Sequence, residues 1–131
     1  ETSTATLSLI YLGNLCYLTN EYQDAVNFYQ SYLKNSSFDM RLDFIALKSM
    51  GQCYLAMGKI EEAERAFREL VNGEDVWPKK DGFKSLILVY EMENRVNEIR
   101  TIITQAFKDY PELQEDPFFM TKMGKYEVTQ E

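Results

Sequence analysis

Apolar and polar residues follow the same order twice along the chain. Residues 9–33 (LIYLGNLCYLTNEYQDAVNFYQSYL) and 47–70 (LKSMGQCYLAMGKIEEAERAFREL) each open on an apolar stripe at intervals of three and four. The stripe is Leu9, Leu12 and Cys16 in one and Leu47, Met50 and Tyr54 in the other, the spacing that lines one face of an α-helix. A break follows at Thr19-Asn20 and at Met57-Gly58, after which Tyr22, Ala25, Val26 and Tyr29 are echoed by Ile60, Ala63 and Phe67. Each segment therefore predicts a helix, a tight turn and a second helix. Gly58 suits the left-handed residue that closes a helix, and Asn20 is the next most tolerant type there. Gly13, Gly51, Ala25 and Ala63 are small enough to let the two helix backbones approach closely.

A third, more degenerate unit runs through Phe83, Leu86, Ile87 and Tyr90 to a break near Glu93-Asn94, then Val96, Ile99, Ile103 and Ala106. Ile87 stands where the earlier units have glycine, which predicts a wider or re-angled helix pair. Pro78 can open the first helix and Pro111 can close the second. Phe118, Phe119 and Met123 mark a short amphipathic stretch, read as a cap over the last pair, and Val128 to Glu131 are expected to fray. The pattern thus predicts an all-α chain, with pairs near 5–35, 39–72 and 78–110 and a cap near 112–126, in one domain over 1–131. Extra residues around Asn35 to Asp39 and Gly73 to Lys80 lengthen the links. Glu61-Arg65 and Glu64-Arg68 are spaced to form i,i+4 ion pairs on an outer face.

The second unit, with Leu47, Gly51, Tyr54, Gly58, Ala63, Phe67 and Leu70, resembles a tetratricopeptide repeat (TPR); the first unit resembles it well and the third in part. The resemblance implies an α-solenoid of three helix pairs in a right-handed superhelix, acting as a scaffold or adaptor that binds a peptide or partner protein in its concave groove. The first helix of each pair would line that groove. By the same resemblance the groove-facing set includes Ile10, Asn14, Tyr17, Lys48, Ser49, Gln52, Asp81, Lys84, Ser85 and Leu88, of which Asn14, Tyr17, Lys48, Gln52, Lys84 and Leu88 are taken as the partner-binding residues. Lys48 and Lys84 hold equivalent places in consecutive units and suit a carboxylate or acidic peptide. The family's two-carboxylate clamp for chaperone tails is not reproduced: Asn14 matches, but Ile10, Ser49, Asp81 and Ser85 replace its other members. The alternative is an accessory repeat segment of a larger glycosyltransferase-like enzyme or of a membrane-anchored bacterial envelope or secretion protein. A start at Glu1 without Met fits a fragment of a longer protein.

Composition narrows the chemistry. There is no histidine, so Ser-His and Cys-His nucleophile pairs and the usual Cys/His zinc sites cannot be assembled. No GxxxxGK[ST] loop or GxGxxG turn follows a strand pattern. The expectation is a non-enzyme with no cofactor or metal. A formal charge of -7, from 14 basic and 21 acidic residues, repels phosphate backbones and argues against nucleic acid. No run approaches the roughly 18 apolar residues of a bilayer span, so no membrane contact is expected. Cys16 and Cys53 read as small buried hydrophobes and leave the compartment open. Self-association through uncovered solenoid ends is a further partner the repeat allows.

Overall fold

The computed structural model describes residues 3–35, 40–73 and 76–129. Among these residues there are seven α-helices and one 3-10 turn, and no strand. The chain is all-α and divides into two compact units, Glu1–Asn72 and Gly73–Glu131.

The first unit holds α1 (Ser3–Leu18), α2 (Tyr22–Asn35), α3 (Met40–Ala56) and α4 (Ile60–Asn72). Helices α1 and α2 form one antiparallel pair and α3 and α4 the next, with α3 packed on α2. The link residues 36–39 lie outside the described residues. Ala25, Val26, Tyr29 and Tyr32 of α2 share a buried cluster with Ile10 of α1 and Ala46, Met50 and Cys53 of α3. Burying such side chains stabilises by about 1.5–3 kcal/mol each for the larger ones, so this seam holds the unit together.

The second unit holds α5 (Val76–Met92), α6 (Val96–Asp109), the 3-10 turn Pro111–Glu115 and α7 (Pro117–Lys125). Helix α5 starts two residues before Pro78, which falls in its first turn. Proline is tolerated there because a first-turn N–H has no intrahelical acceptor. Residues 74 and 75 of the preceding link lie outside the described residues. Phe83, Leu86, Ile87, Tyr90, Ile99, Ile103 and Phe107 form the buried interior of this unit, joined by Leu113 and Phe119 from the cap. Asp116 caps α7 by accepting a hydrogen bond from the Phe118 N–H at 2.9 Å, with Pro117 at the first helical position. Of the end expected to fray, Val128 is still tied by its N–H to the Met123 carbonyl at 3.0 Å. Gln130 and Glu131 lie outside the described residues.

All three pairs turn in the same way. Asn20 (φ 64°), Gly58 (φ 75°) and Asn94 (φ 55°) are left-handed. The N–H of the residue after each reaches back five positions: Glu21 to Cys16, Lys59 to Tyr54 and Arg95 to Tyr90, at 2.8, 2.8 and 2.9 Å. The left-handed residue itself donates three positions back, to Tyr17, Leu55 and Glu91. This double bond pattern satisfies the last carbonyls of the first helix and reverses the chain at once.

Glycine is required at two helical positions. A methyl at Gly13 would stand 2.6 Å from a ring carbon of Tyr29, and one at Gly51 would intrude on the Phe67 ring. The aromatic ring of the second helix lies directly on the backbone of the first. In the third pair Ile87 and Ile103 occupy the corresponding places, and both are fully buried. Two medium side chains take the room elsewhere filled by an absent side chain and a ring.

On the outer face of α4, Arg68 pairs with Glu64 as the spacing predicts. Arg65 instead meets Glu62, one turn back at i,i+3, at 3.4 Å.

Candidate functional site

In the first unit the two first helices, α1 and α3, run side by side and carry four of the predicted partner-binding residues. The Tyr17 hydroxyl on α1 donates to Gln52 Oε1 on α3 at 3.4 Å, which links consecutive pairs across their seam. Asn14, one turn before Tyr17, accepts a hydrogen bond from the Tyr29 hydroxyl at 2.6 Å. That phenol rises from the core between α1 and α3. Burial raises its pKa, and a hydrogen bond with Ser49 works the other way. Asn14, Tyr17, Ser49 and Gln52 are all half-buried, so they form a polar strip with its feet in the core and its edges at the surface. Lys48 lies one turn before Gln52, with its ammonium 5.8 Å from the centroid of the Phe44 ring. The Tyr17 ring packs edge-on against Tyr22 at 6.0 Å.

Ile10 departs from the groove-facing set. It is only 5% exposed and belongs to the core cluster. Helix α1 is apolar nearly all round, so its sequence pattern does not say which apolar stripe turns inward.

Lys84 and Leu88 belong to the second unit. Lys84 reaches Asp116 Oδ2 at 3.4 Å, and its ammonium sits over the rings of Phe118 and Phe119 at 5.7 and 5.9 Å. It therefore anchors the cap. Lys80 does the same four residues earlier, to Glu112 at 3.1 Å. Glu91 completes the edge, accepting from Lys122 at 2.8 Å, Lys125 at 3.3 Å and the Tyr126 hydroxyl at 2.6 Å. Sequence reading did not find this clamp, because its partners lie 31 to 35 positions apart. Burial alone would raise the Glu91 carboxyl, but Lys122, Tyr126 and Lys125 outweigh it and hold the pKa below 4.5. Leu88 points to solvent, 47% exposed.

The first unit also has an open cleft of about 570 Å³ lined by Gln30, Lys34, Tyr54, Glu62, Arg65 and Glu69, with others, between α2, α3 and α4. Its lining mixes both signs of charge. Burial lifts the Tyr54 hydroxyl pKa, with Glu62 adding to it. Neither cysteine forms a disulfide. Cys53 is fully buried, and burial pushes its thiol up to about 11, away from the range of reactive thiolates. Among the described residues no three acidic or cysteine side chains gather in a way that would hold a metal ion, and no helix is long and apolar enough to cross a membrane.

The repeated turn, the glycine-on-ring contact and the pairing of α3 with α4 coincide with a family match. Residues 49–72, which run from Ser49 of α3 through the end of α4, match the model of the tetratricopeptide repeat. Residues 49–72 are a TPR repeat. The chain's first pair carries the same glycine, ring and turn 38 residues earlier, Gly13 against Gly51, so the TPR pattern extends beyond the matched segment. No curated protein matches the chain in sequence.

Proposed function

We propose that this TPR chain is a protein-binding module without catalysis of its own, and that it takes an extended peptide or partner helix across α1 and α3. The observation that carries this reading is the Tyr17–Gln52 hydrogen bond, which joins the first helices of two consecutive repeats into one polar-aromatic surface. Asn14 and Gln52 each spend a carbonyl oxygen on a tyrosine hydroxyl. An amide so engaged keeps its two N–H donors, the groups that read a peptide's carbonyls or a carboxylate. Lys48 adds a cation one turn away. Tyrosine supplies contact area at low entropic cost, which suits Tyr17 to the centre of such a surface. In the second unit Leu88, with Met92 one turn on, offers a separate apolar contact, whereas Lys84 serves the cap.

Peptides selected from a random display library on the immobilised chain test the reading. Amide shifts on adding a selected peptide should cluster at Tyr17, Lys48 and Gln52, and Lys48→Glu with Gln52→Ala should weaken binding roughly tenfold or more. Shifts confined to the cleft of Glu62, Arg65 and Glu69 would move the site away from the α1–α3 seam and end this assignment.

A further inference from the structure

Helix α7 ends as the first helix of each pair ends. Glu127 is left-handed (φ 56°), its N–H reaches three positions back to the Gly124 carbonyl at 3.4 Å, and the Val128 N–H reaches five back to Met123 at 3.0 Å. These are the bonds that reverse the chain after α1, α3 and α5, and all four helices stop two residues before the left-handed one. Asparagine and glycine accept that backbone readily, but glutamate does not. At Glu127 the surroundings impose it. Arg100 of α6 donates to the Tyr126 carbonyl at 2.8 Å, and the Tyr126 hydroxyl donates to Glu91 of α5.

Helix α7 and the 3-10 turn before it are also packed as a first helix. Counting back from the left-handed residue, the eighth position is Met50 in α3 and Phe119 in α7, and the fourteenth is Phe44 and Leu113. All four are buried. Met50 shares a cluster with α2, and the Phe119 ring lies on Phe107 of α6 with centroids 6.1 Å apart, so each rests on the second helix of the pair before. The third position back links neighbouring first helices: Tyr17 of α1 meets Gln52 of α3, and Glu91 of α5 meets Lys122 of α7. What α7 lacks is its cover. The seventh position back is Gly13, Gly51 and Ile87 in the three pairs, each buried beside its second helix. In α7 it is Met120, 50% exposed, and one turn on, a methyl added to Gly124 would meet nothing within 4 Å. Half a hairpin cannot bury its apolar side alone.

We infer that α7 is the first helix of a fourth pair, and that a second helix supplied by the same polypeptide beyond Glu131 covers Met120 and Gly124. The occupant comes from the chain itself because the turn at Glu127 is the one that leads into the second helix in all three complete pairs. The register states what that helix carries. Five positions after the left-handed residue stand Ala25, Ala63 and Ile99, and nine after it Tyr29, Phe67 and Ile103, all buried. The corresponding residues are the first and the fifth beyond Glu131, and both are apolar. The fifth is aliphatic, since it shares its room with Met120 as Ile103 does with Ile87, and a ring needs glycine opposite. This inference concerns the second unit and does not rest on the peptide reading of the α1–α3 seam.

Peroxide oxidation read by peptide mass spectrometry, on the natural full-length protein and on the chain ended at Glu131, tests it. Met120 should form sulfoxide about tenfold or more slowly in the full-length protein, because a covered side chain reacts only through local opening. Met92, 57% exposed on α5, should oxidise alike in both. Equal rates at Met120 overturn the inference, and so does equal slowing of both methionines, the mark of general coverage by another domain. A reading frame that stops at Glu131, or one with polar residues at the first and fifth positions beyond it, overturns it as well.

Discussion

At the level of single residues, the Gly51–Phe67 contact makes a conservative change costly. Alanine at a helical glycine normally stabilises by up to about 1 kcal/mol, but here the new methyl meets the Phe67 ring. Overpacking of this kind costs about 1–3 kcal/mol, so Gly51→Ala should lower stability by roughly 1–2 kcal/mol on balance. Phe67→Leu opens the space, and in urea unfolding the double variant should lose less than the two single losses added together. Strict additivity would mean that the ring and the glycine do not meet. The sequence marked Gly51 only as a place of close helix approach; that the Phe67 ring fills the space over it depends on how the second helix is turned, which local spacing does not state. The fate of Ile10 was not legible either. On a helix without charges, a buried and an exposed isoleucine look the same until the packing partner is known. Tyr22 and Tyr54 show the same ambiguity, since both sit on core-pattern positions and are only half-buried.

Among elements, the three reversals at Asn20, Gly58 and Asn94 were readable because left-handed backbone selects few residue types. The attachment of the cap was readable only in its apolar half. Phe119 announced a buried face, but the polar half depends on Glu91 of α5 meeting Lys122, Lys125 and Tyr126 of a distant segment, which no local spacing reveals. That clamp responds to acid. A carboxyl whose pKa is lowered by folding contributes stability above its unfolded value, about 4.3, and the contribution is lost as pH falls through the lowered folded value. Hydrogen exchange in α7 should therefore quicken between neutral pH and about pH 3, relative to exchange in α6. Glu91→Gln should quicken it already at neutral pH, by a local loss of about 1–3 kcal/mol, and remove most of the acid response. Equal protection of α7 in both proteins at both pH values would discard the clamp as a stabilising device.

Across the whole molecule, the helical class and the pairing of helices followed from periodicity, because a 3.6-residue period and a tolerant turn residue leave few alternatives. The placement of the residues taken as partner-binding followed less well. Asn14, Tyr17 and Gln52 are brought to one seam, yet Lys84 is drawn into the cap by Asp116, since a lysine's partner is chosen by tertiary proximity. The exchange of glycine and ring for Ile87 and Ile103 has a further consequence. Grafting α4 in place of α6 would drive the Phe67 ring into Ile87, and the reverse graft would leave a hollow over Gly51. Either chimera should melt well below the natural chain in a thermal scan, by several degrees for each kcal/mol lost. The repeats look interchangeable on paper, but the third hairpin and the two before it do not accept each other's second helix, so recombination between them would be selected against.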